Sequence, residues 1–125
     1  MAGMKRFVTY IYAYEEEKKG SNVGFARIEI RGQDARIEIH LRGVYAASAA
    51  CRVYLFQREA AGGKEATGVT GVLVGEMKLA NGSGDGAVVL KGGRVGASPY
   101  GITEMEGLFF VIGEGRILMS RWREG

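Results

Sequence analysis

The sequence predicts an all-β fold, an antiparallel β-sandwich or partly open barrel of about eight or nine strands. Three observations predict it. Helical periodicity is nearly absent, and apolar or alternating runs of six to ten residues follow one another instead. The 21 glycines stand against one proline and fall between those runs, where a reversing chain needs backbone freedom. One pair of neighbouring runs also carries charges that match only when it is folded into a tight hairpin.

The predicted strands are Arg6–Tyr14, Val23–Arg31, Ala35–Arg42, Arg52–Arg58, Thr67–Val74, Glu76–Ala80, Ala87–Leu90, Leu108–Ile112 and Arg116–Trp122. In the first, Arg6, Val8, Tyr10, Tyr12 and Tyr14 share one face. The second and third form the matching hairpin. With Gly32-Gln33 as a two-residue turn, Arg31 faces Asp34, Glu29 faces Arg36, and Arg27 faces Glu38. Ile30, Ile28 and Ala26 then meet Ala35, Ile37 and Ile39 on the other face. A turn one residue later sets Arg31 against Arg36 and Glu29 against Glu38, which costs energy. Glycine at the first turn position suits a type II′ turn. Gly75 either separates two strands or marks a bulge in one long strand. Asn81-Gly82 opens a turn that is expected to run through Gly86. Ser98–Glu106 is irregular, with room for a single helical turn. The run Leu108-Phe109-Phe110-Val111-Ile112 predicts a strand covered on both faces, and a turn at Gly113-Glu114 or Glu114-Gly115 joins it to the last strand.

The length of 125 residues fits one domain over 1–125, either alone or as the N-terminal domain of a longer protein. An apolar share of 46% and a charged share of 25% are those of a globular chain. The net charge of +3 is too small to argue by itself for a polyanionic partner. The single cysteine, Cys51, cannot form an internal disulfide and fits a reducing compartment. The first fourteen residues lack the apolar core of a signal peptide, and no stretch approaches the ~18 apolar residues of a membrane span. A soluble cytoplasmic protein with no membrane contact is expected.

The segments Lys5-Arg6-Phe7-Val8-Thr9-Tyr10-Ile11-Tyr12-Ala13-Tyr14, Asn22-Val23-Gly24-Phe25-Ala26-Arg27-Ile28-Glu29, Arg36-Ile37-Glu38-Ile39-His40-Leu41-Arg42-Gly43 and Val53-Tyr54-Leu55-Phe56 together resemble the N-terminal domain of a family of uncharacterised bacterial proteins, a domain of unknown function. The resemblance runs from Lys5 to about Trp122 and is most specific between Arg6 and Gly43. It implies a chain that continues in many members, and it carries over no activity, cofactor or catalytic residue. The alanine-rich segment from Gly43 to Ala50 departs from a fixed binding loop.

The residues point to no metal and no cofactor, since one histidine and one cysteine fall short of the donor sets zinc uses. Glu15-Glu16-Glu17 followed by Lys18-Lys19 reads as a solvated turn. Gly82-Ser83-Gly84-Asp85-Gly86 and Gly92-Gly93-Arg94-Val95-Gly96 lie between strands and open no helix, so neither reads as a phosphate loop. Cys51 reads as a buried, inert thiol. His40 falls opposite Phe25, beside Arg27 and Arg42 and on the same face as Glu38. It is either a ladder residue or a general base, and no serine or cysteine motif accompanies it. The tyrosines Tyr10, Tyr12 and Tyr14 offer stacking rings for a sugar, a base or a partner chain, or pack at a sheet margin. Arginines beside them are interleaved with acids, which disfavours nucleic acid. Tyr100, in a Ser-Pro-Tyr-Gly turn, is either a rim aromatic or a plug for one end of the sandwich, and Trp122 is a candidate interface with a further domain. Ligand or interface candidates are therefore Tyr10, Tyr12, Tyr14, His40, Arg42, Tyr100 and Trp122, with no catalytic residue among them. The function expected is a non-catalytic interaction module that contacts a protein, another domain or a second copy. The alternative is a small-ligand or carbohydrate binder using the tyrosine stripe.

Overall fold

The computed structural model describes residues 4–15, 18–44, 48–58, 69–95, 101–113 and 116–122. Its strands are β1 (Met4–Glu15), β2 (Lys18–Arg31), β3 (Asp34–Leu41), β4 (Ser48–Arg58), β5 (Val69–Ala80), β6 (Gly84–Leu90), β7 (Gly107–Ile112) and β8 (Arg116–Arg121). All neighbours are antiparallel, in the order β5-β4-β7-β8-β1-β2-β3-β6. The all-β fold is as the sequence predicts. β1, β2 and β3 form a meander, while β7 inserts between β4 and β8. The two end strands are joined by the turn Asn81-Gly82, so the sheet curls into a nearly closed barrel. Period-two alternation directs Ile11, Ile28, Ile37, Leu55, Phe110 and Leu118 inward, where each is at most 2% exposed. Among the described residues, Thr9 and Ser120 are the polar residues buried in this core, and their hydroxyls bond to each other.

The β2–β3 hairpin has the predicted register, with Arg31 across from Asp34, Glu29 from Arg36 and Arg27 from Glu38. Gly32 has φ +60°, and Gln33 is not in the positive-φ region, the pattern of a type II′ turn. The ladder is closed by Arg27–Glu38 at 3.2 Å and Arg36–Glu38 at 3.4 Å, and it extends onto β1 through Arg6–Glu29 at 3.1 Å.

Several boundaries differ from the sequence expectation. At Gly75 the second of the two alternatives holds, one long strand, β5, with a bulge. Val53 pairs with Gly75 and Tyr54 with Leu73, leaving Val74 as the extra residue. The turn after Ala80 is two residues long, Asn81 at φ 53° and Gly82 at φ 79°, and β6 begins at Gly84, three residues before the expected Ala87. Glycines that read as a loop are strand residues here because β6 runs close to β5: a Cβ on Gly84 would stand 2.6 Å from the Lys78 carbonyl oxygen. β7 alternates instead of being covered on both faces, with Phe109 and Val111 half-buried between buried Leu108, Phe110 and Ile112. β2 and β4 start earlier than expected, at Lys18 and Ser48. The irregular stretch holds one 3-10 turn, Ile102–Glu104. Most of the loop before it, and Glu16, Glu17, Glu114 and Gly115, lie outside the described residues. Cys51 is fully buried, and burial pushes its thiol up to about 11.

Candidate interaction surface

Cross-strand register assembles the outward-facing side chains into rows, and the rows divide the barrel exterior into two unlike halves. Over β1, β2, β3 and β6 they mix ion-paired arginines and glutamates with the exposed side chains of Val8, Tyr10 and Val89. Arg6, Glu29, Arg36 and Val89 make one row, and Val8, Arg27, Glu38 and Ala87 the next. Over β5, β4, β7, β8 and β1 one row is apolar or aromatic throughout, and the next is so only from β7 to β1. Leu73, Tyr54, Phe109, Met119 and Tyr12 lie side by side across five strands. A second row runs Glu76, Arg52, Val111, Ile117 and Tyr14. Leu73 is 54% exposed and the other apolar members are half-buried. The rings of Tyr54 and Phe109 meet edge to face with centroids 5.9 Å apart.

The predicted tyrosine stripe sits on the seam between these halves, because β1 borders both. The alternation of buried Thr9 and Ile11 with Tyr10 and Tyr12 sets the stripe facing outward. Tyr10 is 59% exposed and lies across from Phe25 on the charged side. Tyr12 and Tyr14 belong to the apolar rows, and the Lys19 ammonium lies 4.0 Å from the Tyr12 ring centroid. Tyr14 also borders an open groove of about 950 Å³ shared with Phe109, Met119, Val44 and the cations Arg116 and Arg121.

His40 stands in a row of Tyr10, Phe25, His40 and Asp85. Its ring lies 5.0 Å from that of Phe25, and its Nδ1 is 2.7 Å from Asp85 Oδ1. The carboxylate that engages it is thus Asp85 of β6 rather than Glu38, which is held by Arg27 and Arg36. The imidazole is 31% exposed on a sheet surface and is not among the groove residues. The local backbone requires glycine beside it: Gly24 has φ +152°, and a Cβ there would stand 2.0 Å from the His40 carbonyl oxygen. Arg42 is exposed, and its backbone N–H donates to the Val23 carbonyl at 2.7 Å. Trp122 is turned onto its own domain rather than out of it. Its Nε1–H donates to the Met105 carbonyl at 3.0 Å, and its ring packs edge-on against Phe7 at 5.5 Å. Tyr100 lies outside the described residues. Of the predicted set, then, Tyr12 and Tyr14 fall together on the apolar half, Tyr10 and His40 share one row, and Trp122 is elsewhere.

Tyr54, Leu73, Phe109, Val111, Ile117 and Met119 were not among the predicted site residues. Their signal was present in the strands themselves, since β7 and β8 are apolar at consecutive positions where a sheet with one solvated face alternates.

No family model and no curated protein sequence matches the chain. Among solved structures, the Cu/Zn superoxide dismutase from Brucella abortus is similar, with a TM-score of 0.64 over 95% of this chain and 100% of that chain, at 10% identity. A likeness at that identity shows the architecture, an eight-stranded antiparallel barrel, and nothing of its chemistry.

Proposed function

We propose that the chain is a non-catalytic β-sheet interaction module whose docking surface is the apolar half of the barrel exterior. The observation that carries this reading is the in-register row Leu73, Tyr54, Phe109, Met119 and Tyr12. Water-facing sheet surfaces alternate apolar inside with polar outside. A contiguous outward apolar patch with a charged rim is the usual mark of a contact site. The same barrel shows the polar alternative on β2 and β3, so the apolar half is a local property of four or five strands. The resemblance to an N-terminal domain agrees with a module that contacts another domain or protein. A reducing, aqueous compartment is supported by unpaired Cys51 and by an apolar interior under a half-charged exterior, the reverse of a membrane barrel. Among the described residues, no helix is long and apolar enough to cross a membrane.

The barrel likeness raises the matter of copper and zinc, which the neighbour's name carries. The residues of this chain do not fit such a pair. Its one histidine is on the outer face, bonded to Asp85, and its one cysteine is enclosed in the core with a raised pKa. Among the described residues, no group of three or more potential ligands gathers.

The test places the photo-crosslinking residue p-benzoyl-phenylalanine at position 109 or at position 25 in cells producing the chain. Both are half-buried phenylalanine sites on the exterior, one on each half. Adducts from position 109 and few from position 25 are expected. Equal yields, or none from 109, refute the assignment. A second reading, a small ligand or carbohydrate stacked on the stripe, is favoured by the exposed ring of Tyr10 and the groove beside Tyr14. Oligosaccharide titrations that shift the Tyr10 and Tyr14 ring resonances would support it.

A further inference from the structure

We infer that β6 is where two copies of the chain join, edge to edge, as antiparallel strands about a twofold axis normal to the sheet. This surface is separate from the apolar half, and the inference stands without it. β6 ends the strand order and pairs with β3 alone. Main-chain groups along an antiparallel strand point alternately to its two sides. The two-residue turn at Gly32-Gln33 makes Arg31 and Asp34 a hydrogen-bonded pair, so Ala35, Ile37, Ile39 and Leu41 turn theirs to β6. Leu90, Val88, Gly86 and Gly84 answer them, and the main-chain groups of Asp85, Ala87 and Val89 point away from β3. The bonds exchanged by Ala80 and Ser83 at the next turn give the same phase. β5 does not take up this edge, because it runs beneath it. Gly84 and Gly86 face inward with Leu41 and Ile39, and a Cβ on them would stand 2.6 Å from the Lys78 carbonyl oxygen and 3.2 Å from Met77 Sδ.

Edge strands that stay single are blunted by charge, proline or a bulge. β5, at the other end of the sheet, carries such devices: exposed Glu76 and Lys78, and the bulge at Val74. β6 reads Gly-Asp-Gly-Ala-Val-Val-Leu, with no proline, no cation and an unbroken register, and Val89 is 59% exposed on its outer side. Charge then names the occupant. Two such edges pair through the same outward main-chain groups, so the permitted registers differ by two residues. With Val88 opposite its own counterpart, Ala87 meets Val89 of the other copy and Asp85 meets Lys91. Each contact occurs twice, as an isologous interface requires. Asp85 is 68% exposed, and Lys91, the residue after the strand, is exposed as well. One step to either side sets Asp85 against Val89, or Lys91 against Ala87, and gives up the charge match. The edge is complementary to itself in one register.

Size sets the expected strength. The pairing adds one strand to each sheet, with about four main-chain bonds between Ala87 and Val89 of the two copies. A single strand pair falls short of the about 1,200 Å² at which stable interfaces begin. A dissociation constant on the order of 100 µM is therefore expected.

Sedimentation velocity on the purified 13.5 kDa chain reads the result directly. The wild type should pass from this mass to twice it between micromolar and millimolar concentration. Ala87→Pro removes an N–H that points away from β3, so it should abolish the heavier species while leaving the β3 ladder intact. Lys91→Glu should weaken dimerisation about tenfold, and adding Asp85→Lys should restore it to within about threefold. Both residues are exposed, so the charge swap decides the matter even if the proline variant does not fold. Met119→Lys, on the apolar half, should leave the dimer unchanged. A wild type that stays monomeric at millimolar concentration overturns the proposal, as does a dimer indifferent to the charge swap. A folded Ala87→Pro variant that still dimerises overturns it too. Loss of the dimer in Met119→Lys would move the contact to the apolar half and sink the edge assignment. Crosslinking at position 109 is read separately, so either result can fail without the other.

Discussion

Phe109 and Phe110 are adjacent on β7 and point to opposite sides of the sheet, so truncating each to alanine separates interior from exterior in a single measurement. Phe110 is 0% exposed and pairs across strands with Val53 and Leu118, themselves 1% and 2% exposed. Removing its ring leaves a void walled by residues that cannot collapse without breaking register, at a cost of about 4 kcal/mol. Phe109 is half-buried, and the lost edge contact with Tyr54 accounts for about 1 kcal/mol. For 125 residues the unfolding entropy at the midpoint is about 0.26 kcal/mol per kelvin. Phe110→Ala should therefore lower Tm by about 15 °C and Phe109→Ala by about 4 °C. Thermal melts followed by circular dichroism at low micromolar protein, where self-association contributes little, would read both. Equal losses, or a larger loss at Phe109, would refute the alternation from which the interior and the apolar exterior were both derived.

Two further outcomes follow from single residues. Because burial pushes the Cys51 thiol from 9.0 up to about 11, the folded state holds its proton where the unfolded state releases it. That contribution to stability is complete below pH 9 and is lost as pH rises from about 9 to about 11. Denaturant midpoints across that window should fall for the wild type and fall less for Cys51→Ala. The two hairpin turns should differ in their tolerance of alanine. Gly32→Ala meets open space and carries only the strain of a Cβ at φ +60°, about 1 kcal/mol. Gly82→Ala also brings a Cβ to 2.4 Å from the Val44 carbonyl oxygen and should cost about 2–3 kcal/mol, read as urea midpoints.

Local pattern made much of the fold legible. The β2–β3 register followed from three charge pairs between positions 27 and 38, and the burial of Cys51 followed from the usual placement of a lone thiol. What escaped was set by partners distant in sequence. Gly84 and Gly86 read as loop residues because the nearness of β5 that demands them is a property of barrel closure, not of neighbouring residues. The bond from His40 to Asp85 spans 45 positions and depends on β6 lying beside β3, an order no local pattern encodes. Likewise, the apolar rows bring together Leu73, Tyr54, Phe109, Met119 and Tyr12 from five separate strands. Each is unremarkable in its own run, and only their adjacency makes a surface. Trp122 read as an outward anchor because its partners, Phe7 and the Met105 carbonyl, come from two remote segments.

The barrel is sealed between β5 and β6 by one short turn. Ala80 and Ser83 exchange two main-chain bonds of 2.9 and 3.1 Å, and among the described residues no further ladder joins these strands. Every other seam is a multi-residue zipper. The β5 and β6 amides that face this gap should therefore trade hydrogen for deuterium earliest, while those between β7 and its two neighbours should be last. Unravelling would start at one slit and leave the opposite wall standing, so the first partly opened form of this protein should still display its apolar rows.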